Sequence, residues 1–205
     1  MSAKGIGEQA VTGNGARISL QDWLNIVDES ASLGANWLVL TVTTNLSQHS
    51  EIWEICRWAQ ETHGMSVGLH LVKDDLNNDE IALIKGLDTS KVRLLVRRES
   101  LEKLKPLDEA GLVLWTANPQ TEDGSRPHCQ GPSKMIYVNG RGELYTCGLV
   151  DGLDQYRMGN VLERRLSQVI EDPALPHLVE EKIHRISPGC DGCPSLVANF
   201  FDANL

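Results

Sequence analysis

Four cysteines are spaced so that their sulfur atoms could meet around one metal centre. Cys129 and Cys147 stand at the two ends of one stretch, and Cys190 and Cys193 form a C-x2-C pair further along the chain. Four thiolates suit either a [4Fe–4S] cluster or a tetrahedral zinc ion. Structural zinc favours two short C-x2–4-C loops, and only one is present here. The spacing therefore favours the cluster, with zinc as the alternative.

The residues between the first two cysteines have the pattern of a β-hairpin. Apolar residues at 135–138 precede the turn sequence Asn139-Gly140-Arg141-Gly142, and Leu144 and Tyr145 resume a strand. Antiparallel partners lie about 5 Å apart, so we expect a hairpin to bring cysteines at its two ends together at its base. Glycines and prolines around Cys190 and Cys193 predict a tight loop for the other two sulfurs.

Composition limits the other functions that the chain could have. The formal charge of −9 disfavours nucleic acid and anionic membrane surfaces as partners. The longest apolar stretch is too short to span a bilayer, and we identify no secretion signal at the start of the sequence. We therefore expect a cytoplasmic protein, in which five cysteines are a poor fit to a disulfide framework.

The first half of the chain alternates between helical and strand patterns. Ser19 and Asp22 predict a helix start, and Gly34 and Gly64 predict two helix ends. Four predicted strands lie at 36–42, 66–72, 91–97 and 111–116, with helices between them. Parallel strands need crossovers of this length, and four strands are too few for an eight-stranded barrel. We predict an α/β fold with a partial, open β/α barrel.

An open barrel leaves strand edges with unpaired backbone groups that something must cover. We therefore expect a protein partner, or a second copy of the chain, to bind at the open sheet edges.

The character of the sequence changes near residue 117. We divide the chain into a flexible lead-in at 1–17, a partial barrel at 18–117, and a small metal-binding domain at 118–205. In the last of these, Asn160 and Glu163 predict the start of a helix with an apolar face through Leu162 and Leu166. Another helical run is expected from His177.

The cysteine spacing resembles the SPASM/twitch auxiliary-cluster domains of radical S-adenosylmethionine (SAM) enzymes. Cys129, Gly142 and Cys147 form a C-x12-G-x4-C element that a C-x2-C pair follows, over residues 129–194. The segments IYVNGRGELYTCG and MGNVLERRLSQVIEDP also look like that family. The three further cysteines of the full SPASM pattern are missing here, which is similar to the twitch form. The resemblance implies one [4Fe–4S] cluster held by Cys129, Cys147, Cys190 and Cys193.

The first half also resembles a radical-SAM partial barrel, but it departs from the family at the reacting centre. The sequence contains no C-x3-C-x2-C triplet, and Thr41-Val42-Thr43-Thr44-Asn45 stands where the family has the segment that binds the methionine amine. The strand expected before the triplet, and a last strand before the auxiliary domain, are not evident either. We predict a non-radical relative that transfers electrons or assists a partner protein, and we lean against an enzyme. The alternative is an assembly or binding module whose cluster or zinc is structural.

Other residues that could do chemistry have simpler interpretations. Cys56 lies on the apolar stripe of a predicted helix, where free cysteine behaves as a small hydrophobic residue. His70, Asp74 and Asp75 follow a strand end and could bind a metal or exchange protons, but one histidine with two loop carboxylates is common by chance. His128 could hydrogen-bond a cluster sulfur or replace a ligand. A tail with two adjacent phenylalanines, 200 and 201, could dock on the body or on another molecule.

Overall fold

The structure is a computed structural model, and it describes residues 2–4, 18–42, 46–71, 76–96, 100–116, 136–145 and 151–174. The strands are β1 (Ser2–Lys4), β2 (Trp37–Val42), β3 (Ser66–Leu71), β4 (Val92–Val96), β5 (Val113–Thr116), β6 (Tyr137–Val138), β7 (Glu143–Tyr145) and β8 (Arg157–Asn160). The helices are α1 (Leu20–Ser32), α2 (Ser50–His63), α3 (Asn78–Lys85), α4 (Leu101–Glu109) and α5 (Leu166–Ile170).

The strands form one sheet in the order β5-β4-β3-β2-β1-β6-β7-β8. From β5 to β6 every neighbouring pair is parallel, and β6, β7 and β8 then pair antiparallel. Crossover helices α1 to α4 connect the parallel strands, as the sequence predicts. The expected partial β/α barrel is confirmed, and the hairpin that follows it continues the same sheet.

Local signals explain where the helices begin and end. The hydroxyl of Ser19 accepts a hydrogen bond from the backbone of Asp22, whose carboxylate in turn accepts from the backbone N–H of Ser19, forming the predicted capping box at α1. Gly64 ends α2 in the left-handed conformation at φ 65°, which glycine adopts without steric cost.

The main core lies between one face of the sheet and the helices. Alternate strand residues point to it, among them Leu40 and Leu69, and α1 and α2 cover them with apolar side chains. The same buried cluster includes Val138 and Leu144 of the hairpin and two residues of α5, Leu166 and Val169. The hairpin region and the partial barrel therefore share one core.

The other face of the sheet is concave. The rings of Trp37 on β2 and Trp115 on β5 lie 5.5 Å apart, although β3 and β4 separate their strands. Strands are about 4.8 Å apart in a sheet, so the backbones of β2 and β5 would lie roughly 14 Å apart in a flat sheet. At the centre of this face, Gly68 leaves room for the side chains of its neighbours Val39 and Leu95. A Cβ added at Gly68 would lie 3.2 Å from Val39 and 3.3 Å from Leu95. Curvature of the barrel type brings these side chains together.

Three sequence expectations are wrong. A strand does precede the first helix: β1 lies between β2 and β6 and is parallel to both. A strand that was not predicted, β8, ends at Asn160, where a helix was expected to start. The helix begins only at Leu166, and Leu162, expected on its apolar face, is 44% exposed. Residues 5–17, and the proposed boundary near 117, lie outside the described residues.

Candidate metal centre

The hairpin between the first two predicted ligands forms as expected. Tyr137 pairs with Tyr145, and Val138 pairs with Leu144, across a turn that begins at Asn139. The side-chain oxygen of Asn139 accepts hydrogen bonds from the backbone of Arg141 (2.9 Å) and of Glu143 (3.1 Å). The side-chain oxygen thus takes the place of the backbone carbonyl groups that these two N–H groups would otherwise need in a tight turn.

Gly142 explains why the cysteine pattern contains a glycine at that position. Its φ is +80°, a conformation that side chains strongly disfavour, and a Cβ there would lie 2.8 Å from Oδ1 of Asn160. The crowding arises because Val161 donates its backbone N–H to the Gly142 carbonyl at 2.8 Å. The hairpin turn and the end of β8 are therefore packed closely, which fixes β8 on the hairpin.

A network of charged and polar groups joins the hairpin to the segment that follows it. The Glu143 carboxylate accepts hydrogen bonds from Arg141 (2.8 and 3.0 Å) and from Asn139 (2.8 Å). Burial raises the pKa of Glu143, but these hydrogen bonds and the charges of Arg141 and Arg157 lower it more, so the pKa lies below its ordinary value. Glu143 is therefore held as a carboxylate at neutral pH.

Asp151 is the other carboxylate of this network. It accepts a hydrogen bond from the hydroxyl of Tyr137 (3.0 Å) and another from the side-chain amide of Asn139 (2.8 Å). Both donors are on or next to β6, whereas Asp151 follows Cys147 by four residues. The sequence gives no signal for this contact, because it depends on the register of the hairpin and on the path of the chain after β7.

The described pairing of the hairpin ends at Tyr137 and Tyr145. The expectation that the hairpin brings Cys129 and Cys147 together at its base therefore stays a prediction. Cys129, Cys147, Cys190 and Cys193 all lie outside the described residues, as does His128, so the four-ligand set stays a prediction.

The donor set itself fits an iron–sulfur cluster by its chemistry. The motif offers four thiolates, the usual ligands of such clusters. Within the described residues no group of three or more histidine, cysteine, aspartate or glutamate side chains could hold a metal ion.

Cys56 behaves as predicted. It is fully buried in the core next to α2's other apolar residues, and burial raises the pKa of its thiol to about 12. A thiol with that pKa stays protonated at neutral pH and is a poor nucleophile or ligand.

The carboxyl ends of the parallel strands hold the second candidate region. His70 lies on the concave face, where its Nδ1 is 3.3 Å from the hydroxyl of Thr41 on β2. Asp74 and Asp75 lie outside the described residues, so their expected grouping with His70 stays a prediction.

Two loops at this end of the sheet are joined by one buried carboxylate. Glu80, 2% exposed, accepts the backbone N–H of Ser47 (2.9 Å) and that of Asn77 (3.0 Å). Ser47 lies after β2 and Asn77 lies after β3, so Glu80 fixes the two loops relative to each other. Because both of its oxygens bind backbone amides, its role is structural.

No helix among the described residues combines the length and the apolar character needed to cross a membrane.

Comparison with known proteins agrees with the resemblance over the cysteine-rich part. Residues 129–194 match the family model of SPASM, described as an iron-sulfur cluster-binding domain. The resemblance predicted from the cysteine spacing is therefore confirmed for this segment. Among the curated proteins, none matches the chain.

Two solved structures are similar to this one. The first is BtrN in complex with AdoMet and 2-DOIA, with a TM-score of 0.63, 13% identity, and coverage of 94% of this chain and 90% of that one. The second is SuiB of Streptococcus suis bound to S-adenosylmethionine, with a TM-score of 0.31, 11% identity, and coverage of 85% of this chain and 64% of that one. The likeness to BtrN shows the fold, whereas a TM-score of 0.31 does not show that SuiB shares it.

Proposed function

We propose that this chain is a non-radical iron–sulfur protein that transfers single electrons to, or otherwise assists, a partner protein through one [4Fe–4S] cluster. The observation that carries the proposal is the match of residues 129–194 to a cluster-binding domain, on a chain whose sequence has no C-x3-C-x2-C triplet. Cys129, Cys147, Cys190 and Cys193 would hold the cluster. A cluster of this kind supplies one-electron transfer.

Two features of the sequence argue against cleavage of SAM by this chain. The SAM-cleaving cluster of radical SAM enzymes is held by a C-x3-C-x2-C triplet, which this sequence lacks. The residues at 41–45 also offer no carboxylate for the methionine amine. In the structure, the hydroxyl of Thr41 instead contacts His70 at the end of β3. The likeness to BtrN shows the fold alone, and we do not carry that protein's ligands over.

A cluster ligated by four cysteines would have no open iron for a substrate, so electron relay would be its natural role. Charges and hydrogen bonds near the sulfur atoms would set its potential.

The partner would be basic. A formal charge of −9 steers a positively charged protein toward this one and suits a weak, fast encounter. In the described part of the sheet, β5 and β8 are the outermost strands, and we propose these edges as the places where a partner, or a second copy, would add. We also propose a cytoplasmic location, where a reducing compartment would keep the cysteine ligands out of disulfides.

A second candidate is an assembly or binding module in which a cluster or zinc has a structural role. It is favoured by the shared core, since Leu166 and Val169 of α5 pack in the same buried cluster as α1. A metal bound to the cysteine-rich region would then stabilise that region against the barrel.

The two candidates differ in their response to a reductant. Electron transfer predicts brown protein, after anaerobic purification, whose visible absorption bleaches with dithionite and returns on reoxidation. With SAM and dithionite, 5′-deoxyadenosine should stay at the level of a protein-free blank. Colour that resists dithionite, or colourless protein with one zinc, supports the structural module. Formation of 5′-deoxyadenosine would contradict the non-radical assignment.

A further inference from the structure

A surface cleft between α2 and α3 is lined by residues that the proposed function does not use. Its volume is about 420 Å³. Trp53 of α2 and Leu87, just after α3, line it and are only 4% and 8% exposed, whereas Leu83 of α3 lines it at 38% exposed. Buried apolar side chains that border an open space leave hydrocarbon surface for a bound molecule to cover.

Two opposite charges line the same cleft. Arg57 lies on α2, and Asp79 lies in the first turn of α3. Both side chains are exposed, and neither has a hydrogen bond or an ion pair among the residues that the structure describes. The two charges are therefore further apart than the 4 Å of an ion pair, and both remain available to a ligand.

The three kinds of group in the cleft select three kinds of group in a ligand. A guanidinium binds a carboxylate through two parallel hydrogen bonds. A carboxylate attracts an ammonium group, and the apolar surface is covered best by a hydrocarbon side chain. One small molecule that carries all three is an α-amino acid with an apolar side chain. The volume of the cleft is within the usual range of small-molecule sites.

We propose that this cleft binds a free α-amino acid with a large apolar side chain. The carboxylate of the ligand binds Arg57, its ammonium group binds Asp79, and its side chain covers Trp53 and Leu83. The site does not depend on the four cysteines, so it stands or falls separately from the proposed function. Because water screens exposed charges, each ionic contact contributes little, and we expect a dissociation constant of about 1 mM.

The first test titrates L-leucine into the isotope-labelled full chain and follows the indole N–H signals by NMR. The chain has five tryptophans, and sequence-specific assignment identifies the signal of Trp53. That signal should move and saturate with a dissociation constant of about 1 mM, while glycine, which has no side chain, should leave it in place. A Trp53 signal that does not move at about 20 mM L-leucine would overturn the proposal.

Two derivatives of leucine separate the two charged contacts. N-acetyl-L-leucine has no ammonium group and L-leucinamide has no carboxylate, so each should bind about threefold more weakly than L-leucine. Arg57→Gln should weaken L-leucine and N-acetyl-L-leucine about threefold and leave L-leucinamide unchanged. Asp79→Asn should weaken L-leucine and L-leucinamide and leave N-acetyl-L-leucine unchanged. Equal affinity of the unaltered protein for all three ligands would show apolar contact alone and contradict the two charged contacts.

Exposed residues of the same two helices provide matched controls. Lys85→Gln on α3 and Glu54→Gln on α2 remove the same charges from positions that do not line the cleft, and both should leave the affinity for L-leucine unchanged. If Lys85→Gln weakens binding as much as Arg57→Gln, or Glu54→Gln as much as Asp79→Asn, the affinity follows net charge and the site is refuted.

The apolar contact has its own variant. Leu83 is 38% exposed, so Leu83→Ser leaves the core intact and should weaken L-leucine about threefold through loss of covered hydrocarbon surface. An unchanged affinity in Leu83→Ser would contradict the assignment of the ligand side chain to this wall of the cleft.

Discussion

Two glycines of the same turn differ in how much they constrain the hairpin. Gly142 has φ +80°, and an added Cβ would lie 2.8 Å from Asn160 and 3.2 Å from both Leu162 and Val161. Gly140 has nothing within 4 Å of an added Cβ. The same chemical change at the two positions therefore separates conformational strain from a general effect of glycine replacement.

Gly142→Ala should lower the free energy of unfolding by about 1–3 kcal/mol, because the backbone is strained and the neighbouring strand must shift. Chemical denaturation monitored by circular dichroism measures this. Gly140→Ala is the matched control and should stay within about 0.5 kcal/mol of the unaltered protein. Equal losses for both variants would show that the close approach of β8 is not what requires Gly142.

Glu143 makes stability depend on pH in the acid range. Its pKa in the folded protein is lowered below the ordinary value of 4.5, so the unfolded chain takes up a proton at a higher pH than the folded one. The carboxylate thus stabilises the fold above its unfolded pKa, and this contribution is lost as the pH falls through the folded pKa. Glu143→Gln should flatten the decline of unfolding free energy below about pH 4.5. An unchanged acid profile would contradict the network around Glu143.

At the scale of elements, α5 is held to the barrel by a residue of α1. Oε2 of Glu29 accepts the backbone N–H of Leu166, the first residue of α5, at 2.6 Å. The first N–H groups of a helix have no partner within it, so Glu29 acts as a cap supplied from another helix. Arg165 lies 3.9 Å from the other Glu29 oxygen.

Glu29→Ala should cost about 1 kcal/mol of unfolding free energy, the usual effect of removing a helix cap. Glu54→Ala is the control, because Glu54 is an exposed residue of α2. Urea denaturation of the two variants measures the difference. A loss in Glu29→Ala no larger than in Glu54→Ala would mean that α5 does not depend on this cap.

The elements with strong local signals could be predicted from the sequence. The capping box at Ser19 and the glycine at Gly64 set the limits of two helices, and the apolar runs gave four parallel strands. Local signals did not predict the elements that exist because of strand pairing. Strand β1 has only three residues, too few for a pattern, and it exists between β2 and β6 because it pairs with both.

Asn160 shows that a local signal can also predict a helix start where strand pairing produces a turn. Its side chain accepts the backbone N–H of Leu162 at 2.8 Å, as a helix cap would. The chain nevertheless makes a turn there, because Asn160 also pairs with Glu143 at the end of β8. A cap-like sequence thus serves a turn, and the helix starts later. The network at Asp151 had no local signal at all, because its donors lie 12 and 14 residues earlier in the chain.

At the scale of the whole molecule, the hairpin and α5 are continuous with the barrel in both sheet and core. Backbone N–H of Ile18, just before α1, also binds the carbonyl of Gly140 in the hairpin turn at 3.2 Å. A change in the hairpin or in α5 can therefore reach the barrel through the shared sheet and core.

The most direct test of the account is the iron and acid-labile sulfide content of anaerobically purified protein, compared with Cys193→Ala and Cys56→Ala. We predict about four irons and about four sulfides per chain in the unaltered protein. The content should stay the same in Cys56→Ala and fall to near zero in Cys193→Ala. Zinc in place of iron, or full iron content in Cys193→Ala, would contradict the assignment of one cluster to the four cysteines.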